Sequence, residues 1–397
     1  MGEKETTAAK LPDPLIAAEE FATALKGRSN EIERNRFLPQ ELADHAARLG
    51  LHRLCIPAAY GGHEANPMRL VEVAERIARV DGSAAWCVFI GATSGMVAAF
   101  LRPEEARAIF GDPMTITAGV FAPRGQARAA VEGGISGYRV SGRWQWGSGS
   151  RNASFIMGGA LILGEDGKPV MAPEGIPQNR MMIFPAADVT LLDTWDVSGL
   201  AGTGSTDFEV GDLFVPHSRS VSLIGDRPLD RPLYCFPTFG LLGIGIAGVA
   251  LGLARGSIDE LVTLAGGKTP QGSTKPLALR AKAHLDVSEA EALLRSARAF
   301  LAETVGAAWE AASRDGAITI EHRRDIRLAT THAVRAAART VDLMYTLAGG
   351  TSVYRSSALQ RHFRDVHVAT QHMMVSDATY ELTGRLFLGV PTNTAML

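Results

Sequence analysis

Cysteine is scarce in this chain, and net charge is small. The 397 residues include three cysteines, Cys55, Cys87 and Cys235, which are odd in number and far apart. This excludes a disulfide framework and a zinc ribbon. A formal net charge of −2 leaves no basic field that could hold nucleic acid or an anionic membrane. No apolar segment follows the polar first ten residues, so we expect no export signal and a cytoplasmic protein.

The chain also lacks an uninterrupted apolar run of membrane-spanning length. The nearest candidate is Phe239–Ala254 (FGLLGIGIAGVALGLA), which is shorter than the roughly 20 residues that a spanning helix needs. Pro232 and Pro237 interrupt the uncharged stretch upstream of it. We therefore predict a helix that is buried in a large bundle, and no membrane partner.

What the chain does contain is a hydrophobic pattern that changes twice. Residues 1–113 show apolar spacing typical of amphipathic helices. Residues 114–222 show alternation and more glycine, which predicts a small β-barrel or sandwich with a hairpin around Ser141–Gly142. Residues 223–397 are alanine-rich and predict a helical bundle in which Arg361–Leu388 is one long helical span. The predicted class is α+β, with an N-terminal helical domain, a middle β-domain and a C-terminal bundle.

Four short motifs occur in this framework in an order that resembles the acyl-CoA dehydrogenase superfamily. They are Arg139–Gly149 (RVSGRWQWGSG), Gly199–Val215 (GLAGTGSTDFEVGDLFV), Leu347–Thr351 (LAGGT) and Leu359–Asp365 (LQRHFRD). The resemblance implies that the first two line a flavin. It also implies that Gly349 and Gly350 approach the flavin pyrophosphate of a neighbouring subunit, which predicts a homotetramer or homodimer. A simple helix C-cap is the competing interpretation of the two glycines.

Two departures from the dehydrogenases resemble the oxygenase branch of that superfamily. No carboxylate stands at His372–Met373, where many dehydrogenases have their base, and Gly266–Ala278 lacks the Phe-Gly pair that helps hold their flavin. The spacing from Arg364-Asp365 to His372 resembles the oxygenase components of two-component monooxygenases, which include phenol, indole, dibenzothiophene and secosteroid enzymes. This resemblance implies reduced FAD or FMN supplied by a separate reductase, molecular oxygen as co-substrate, and aromatic hydroxylation through a flavin C4a-hydroperoxide.

The resemblance also implies roles for residues of the middle domain. Ser148 aligns with the hydroxyl that contacts the flavin in this family, and we expect it to hydrogen-bond near flavin N5. Trp146 is expected to form an apolar wall beside the ring. As an ordinary sheet aromatic it could instead share one buried face with Trp144, because the two are two residues apart. The hydroxyls of Thr203 and Ser205 are expected to bind the flavin or its pyrophosphate. Ordinary sheet aromatics and a tight glycine-rich turn are the competing interpretations.

His372 is the candidate catalytic residue of the C-terminal region. An imidazole pKa near 6.5 suits either a general base on the substrate or a hydrogen-bond donor to the peroxide. His362, His367 and His372 are spaced by five residues rather than the four that a helical metal site needs, so no metal is expected. A flat aromatic substrate would be lined by aromatic side chains, for which the candidates are Trp86, Phe89, Phe121, Phe236, Phe239 and Tyr380.

The sequence leaves three alternatives open. One is an oxygenase of the same scaffold that acts on nitrogen or sulfur. Another is an acyl-CoA dehydrogenase with resident FAD and a base at Asp259 or Glu260. The third is a helical scaffold or binding protein with no flavin affinity.

Overall fold

The computed structural model describes residues 11–172, 175–395 and 397. Within them, six α-helices come before the sheet: α1 Pro14–Leu25, α2 Ser29–Asn35, α3 Gln40–Arg48, α4 Pro67–Ala78, α5 Gly82–Ser94 and α6 Pro103–Phe110. Side chains of Asp13, Asn66 and Asp81 accept backbone N–H bonds at the starts of α1, α4 and α5. These caps satisfy donors that a helix leaves unpaired at its first turn. They explain why these helices begin where the sequence changes from polar to apolar.

In the part of the chain that the structure describes, the middle region forms a seven-stranded sheet. Its strands are β1 Thr117–Glu132, β2 Ile135–Gly147, β3 Phe155–Leu163, β4 Asn179–Pro185, β5 Thr190–Leu192, β6 Thr206–Pro216 and β7 Ser220–Val221. The order across the sheet is β5-β6-β2-β1-β3-β4-β7, and only β1 and β3 pair in parallel. Trp144 is fully buried in the core of the sheet, where its ring stacks on Phe208 with centroids 5.1 Å apart.

The predicted hairpin around Ser141–Gly142 is wrong. Both residues lie inside β2, and the turn between β1 and β2 is Gly133-Gly134, whose φ angles are +56° and +80°. Two positive φ angles suit a tight hairpin turn that twists with its strands. Gly142 serves packing instead, because a Cβ there would lie 2.7 Å from the Trp144 ring.

Five helices follow the sheet within the described residues: α7 Thr238–Gly267, α8 Ala281–Asp315, α9 Ile320–Ala348, α10 Ala358–Ala369 and α11 Asp377–Phe387. The single span predicted over Arg361–Leu388 is wrong, because the chain leaves the helix after Ala369 and re-enters it at Asp377. His372 lies in this break, where its φ and ψ of −69° and 132° are extended. In this break the histidine ring lies near the Trp86 ring of α5, with centroids 6.0 Å apart.

The apolar run Phe239–Ala254 is a helix buried in the bundle, as predicted. Two segments are long and apolar enough to cross a membrane, Gly82–Phe100 and Thr238–Gly267, but 89% and 94% of their apolar windows are buried inside the protein. Gly252 shows why α7 is glycine-rich: a Cβ there would lie 2.4 Å from the Glu75 carbonyl oxygen. The close contact of α7 with α4 therefore requires a residue without a side chain at this position.

The succession of helices, sheet and helices confirms the predicted fold class. The domain boundaries 1–113, 114–222 and 223–397 stay a prediction. The first ten residues of the first predicted domain lie outside the described residues.

Buried histidines make the stability of this fold sensitive to acid. His52 is 3% exposed, and neither of its ring nitrogens has a hydrogen-bond partner among residues that the structure describes. Burial lowers its pKa to about 4. The folded state therefore holds His52 neutral, whereas the unfolded chain protonates it below about pH 6.5. Stability from this group is present above pH 6.5 and is lost as the pH falls toward 4.

We predict that His52→Leu reduces the loss of unfolding free energy between pH 7 and pH 5 by about 2 kcal/mol. Leucine loses no hydrogen bond here, because the histidine makes none. Urea unfolding at both pH values measures the effect. Equal losses in the two proteins would contradict the assignment.

Candidate active site

A chain of hydrogen bonds joins the N-terminal helices to the middle domain around Ser148. Trp86 Nε1 donates to Ser148 Oγ at 3.1 Å, and Ser148 Oγ lies 2.6 Å from Ser205 Oγ. Ser205 Oγ lies 2.7 Å from Thr203 Oγ1, which in turn donates to the Leu200 carbonyl at 2.8 Å. All four side chains of the chain are buried, at 1–7% exposure.

The last bond of the chain fixes the direction of the others. Each hydroxyl has one proton to donate. Thr203 gives its proton to Leu200, so Ser205 must donate to Thr203, and Ser148 must donate to Ser205. Ser148 then accepts from Trp86 and retains one further lone pair. Its hydroxyl is therefore prepared to accept a hydrogen bond from a ligand, not to donate one.

Helix α10 holds the loop that carries Thr203 and Ser205. Asp365 Oδ1 accepts from the Leu200 backbone N–H at 2.6 Å, and Leu200 has a positive φ of 50°. Gly199 lies so close to α10 that a Cβ would come within 2.4 Å of the Arg364 carbonyl. The Arg364-Asp365 pair of the sequence motif therefore positions the loop. This positioning role could not be predicted from the sequence of the pair alone.

His372 lies near the hydrogen-bond chain of Ser148, because its ring is close to the ring of Trp86. The ring centroids of His372 and Trp86 are 6.0 Å apart. Met374 N–H donates to His372 Nδ1 at 3.2 Å, so the neutral ring carries its proton on Nε2. Burial and the nearby Arg327 lower the pKa of His372 to about 4, below the ordinary value on which the sequence prediction rested. At neutral pH this histidine therefore presents an N–H donor.

The alternative in which Trp144 and Trp146 share one buried face is wrong. Trp144 is fully buried and Trp146 is 67% exposed. The β2–β6 register shifts between Trp144 and Gly147, and Trp146 has a φ of +66°, so the alternation of side chains breaks there. The indole of Trp146 is turned outward, two residues before Ser148.

The predicted aromatic wall divides into separate groups. Trp86 and Phe89 contact each other on α5 with ring centroids 4.9 Å apart, and Phe121 faces Phe239 at 6.5 Å. Two candidates lie in other surroundings. Phe236 faces Trp309 of α8 at 6.3 Å, and Tyr380 lies partly exposed on α11.

Gly349 and Gly350 line a cavity of about 330 Å³ at the ends of α7 and α9. Lys268, Arg280 and Lys282 also line it, together with Asp286, which pairs with Lys282 at 2.6 Å. The Lys268 ammonium donates to the Ala348 carbonyl and to Thr351 Oγ1, the latter at 2.6 Å. Gly349 has a φ of +55° and is the C-cap of α9, as the competing interpretation of the two glycines expects. Their contact with a flavin stays a prediction.

Two further features lie away from this chemistry. A larger cavity, of about 660 Å³, is lined mainly by polar side chains of α1, α4, α7 and α10 and does not include Ser148 or His372. The described residues contain no group of three His, Cys, Asp or Glu side chains that could hold a metal ion.

Comparison with known proteins identifies the family. The sequence matches the family models of the acyl-CoA dehydrogenase N-terminal domain over residues 16–105 and C-terminal domain over residues 244–377. It is 34% identical over 366 residues to an indole-3-acetate monooxygenase of Pseudomonas putida. The aligned region covers 92% of this chain and 90% of that protein. The chain belongs to the acyl-CoA dehydrogenase superfamily. Within it, the chain belongs to the flavin-dependent oxygenase components.

Two other similar proteins support this placement. An FADH2-dependent resorcinol hydroxylase oxygenase component of Rhizobium sp. is 28% identical, with 93% of this chain and 92% of that protein covered. The structure of XiaF from Streptomyces sp. in complex with FADH2 and glycerol superimposes with a TM-score of 0.85 at 25% identity, covering 96% and 97% of the two chains. The predicted family, enzyme class and flavin dependence are confirmed. The roles of individual residues stay predictions.

The Asp365 carboxyl that holds the loop gives a testable pH dependence. Burial, reinforced by Asp81, raises its pKa to about 7 despite the Leu200 N–H. The folded protein binds this proton up to about pH 7, whereas the unfolded chain releases it near pH 4. Stability from this group is therefore lost as the pH rises from 4 to 7.

We predict that wild type loses about 2 kcal/mol more unfolding free energy than Asp365→Asn between pH 5 and pH 8. Asparagine stays neutral and keeps an oxygen acceptor for Leu200. Urea unfolding at the two pH values is the measurement. Parallel pH dependences would show that the carboxyl is ionised throughout.

Proposed function

We propose that the chain takes up reduced FAD or FMN and uses oxygen to hydroxylate an aromatic ring of the indole or phenol class. As an oxygenase component it receives the reduced flavin from a separate reductase. The observation that carries the proposal is the directed chain of hydroxyls that ends at Ser148. The names of the relatives, an indole-3-acetate monooxygenase and a resorcinol hydroxylase, support an aromatic substrate.

Ser148 is suited to hold reduced flavin at N5. Reduced flavin, when bound, supplies two electrons to oxygen and so activates one oxygen atom for transfer. Its N5–H is a donor, and the free lone pair of Ser148 is a matching acceptor. A proton kept at N5 is not available to release hydrogen peroxide. Hydrogen bonds from Trp86 and along Ser205 and Thr203 orient the Ser148 hydroxyl. We therefore assign Ser205 and Thr203 to positioning rather than to direct flavin contact.

Trp146 and the cavity at Gly349 and Gly350 suit the two ends of a flavin nucleotide, the ring and the phosphates. The exposed indole of Trp146 offers a flat apolar surface beside Ser148. The cavity at Gly349 and Gly350 offers Lys268 and Arg280 as partners for phosphate oxygens. We propose that this cavity serves the flavin of a neighbouring subunit in a homotetramer or homodimer, and that the enzyme is cytoplasmic.

His372 acts in this proposal as a donor rather than as a base. Its Nδ1 is occupied by the Met374 N–H, which leaves Nε2–H to point a hydrogen bond at the substrate or at the oxygen that is transferred. Trp86, Phe89, Phe121 and Phe239 are the proposed walls for the aromatic ring. Phe236 and Tyr380 remain candidates from the sequence, although neither has a ring contact with these four.

Ser148→Ala should separate oxygen consumption from hydroxylation. Removal of the acceptor at N5 should lower the ratio of hydroxylated product to hydrogen peroxide by about five- to tenfold, the effect of one hydrogen bond of about 1 kcal/mol. The ratio is measured per reduced flavin consumed, with indole or phenol as substrate.

Ser150→Ala is the matched control. Ser150 is buried, and its hydroxyl has no hydrogen-bond partner among the described residues, so its removal should leave the ratio unchanged. An unchanged ratio in Ser148→Ala, or an equal fall in both variants, would count against the role of Ser148.

His372→Gln and His372→Phe distinguish a donor from a base. Glutamine retains an N–H donor near the position of Nε2 and should keep most hydroxylation, whereas phenylalanine should lose about 10- to 100-fold in turnover. Turnover with reduced flavin is compared at pH 7, with His367→Ala as control because His367 pairs with Asp342 instead. Equal loss in the two His372 variants would favour a base.

A further inference from the structure

Arg327 is a buried cation for which the described residues provide no counter-ion. It lies on α9 and is 3% exposed. Its Nη1 donates to the thioether sulfur of Met374 at 3.3 Å, a weak acceptor, and its Nε has no hydrogen-bond partner in the described part of the chain. Among the described residues, no carboxylate lies within ion-pair distance of it. Burial lowers its pKa to about 10, so it remains charged at neutral pH.

Another buried arginine shows how this protein satisfies such a group when its role is structural. Arg53 is 2% exposed, and its guanidinium donates to four backbone carbonyl oxygens at 2.6–3.1 Å, those of Gly61, Asp112, Tyr60 and Phe110. Burial of a charge without such partners costs several kcal/mol. Burial of Arg327 therefore destabilises the folded state, whereas the carbonyl partners of Arg53 offset the cost of its burial.

The position of Arg327 relates this cost to the active site. Its contact Met374 follows His372 by two residues, and the arginine is close enough to lower the pKa of His372. On the facing helix α7, Gly243 has no side chain, and a Cβ there would lie 3.6 Å from Arg327 Nη1. At this position α7 therefore places no side chain against the guanidinium, which lies next to the histidine of the proposed site.

We propose that Arg327 binds a carboxylate on the aromatic substrate, so that the enzyme acts on aromatic acids. A guanidinium presents parallel N–H donors that match the two oxygens of a carboxylate. The ring of such a substrate would lie on the side of His372 and Trp86, with its acidic side chain toward α9. This inference rests on the proposed function, because it assumes that the substrate lies beside His372.

Ligand binding tests the proposal separately from catalysis. Indole-3-acetate, its neutral amide indole-3-acetamide and 3-methylindole are titrated by calorimetry, anaerobically with reduced FAD and again without flavin. Wild type should prefer the acid to both neutral ligands. In Arg327→Met the Kd of the acid should rise about 10- to 100-fold, the worth of a hydrogen-bonded charge, while the Kd of the amide should stay within about twofold.

A control variant and thermal unfolding exclude a structural explanation. Arg323, one turn earlier on α9, donates to the carbonyls of Thr394 and Leu397, so Arg323→Met should leave the preference for the acid intact. Arg327→Met should unfold at or above the wild-type temperature, because it removes an unpaired buried charge. Arg327→Lys keeps the charge without the paired donors and should restore part of the preference.

Three results would overturn the proposal. They are a wild type that does not prefer the acid, an Arg327→Met variant that keeps the preference, and an Arg327→Met variant that loses acid and amide equally. Loss of reduced-FAD binding in that variant, with the preference intact, would assign Arg327 to the flavin instead. Binding selectivity without hydroxylation would uphold this assignment while contradicting the proposed function.

Discussion

The hydrogen bond that Thr203 donates to Leu200 sets the chemistry of the site. It consumes the only proton of Thr203, and this forces the hydroxyls of Ser205 and Ser148 to donate inward along the chain. Ser148 is left as an acceptor, held from the other side by Trp86. A buried network with every proton assigned has one arrangement, so the site is organised before any ligand arrives.

Three parts of the chain must meet for this network to form. Helix α5 contributes Trp86, the end of β2 leads into Ser148, and the loop before β6 contributes Thr203 and Ser205. The loop depends in turn on Asp365 of α10, which binds the Leu200 N–H. The C-terminal bundle thus positions a hydroxyl of the middle domain. This dependence gives a physical reason why motifs far apart in sequence occur together in one order.

Much of this arrangement follows from the sequence, and the failures have specific causes. Periodicity predicted the succession of helices, strands and helices, and the motifs around Ser148 and Gly199 indicated the family. Alternation failed at Trp146 because a register shift and a positive φ turn the strand. The break at His372 was missed because no glycine or proline marks it. Arg327 was missed because an unpaired buried charge can be recognised only from its surroundings in space.

The most direct measurement of the central claim is the fate of reduced flavin on the protein. Purified chain is loaded anaerobically with reduced FAD and mixed rapidly with oxygenated buffer, and the absorbance of oxidised flavin is followed. If Ser148 holds N5–H as an acceptor, oxidised flavin should appear much later than in free reduced FAD under the same conditions. Oxidation at the rate of the free flavin would contradict the account.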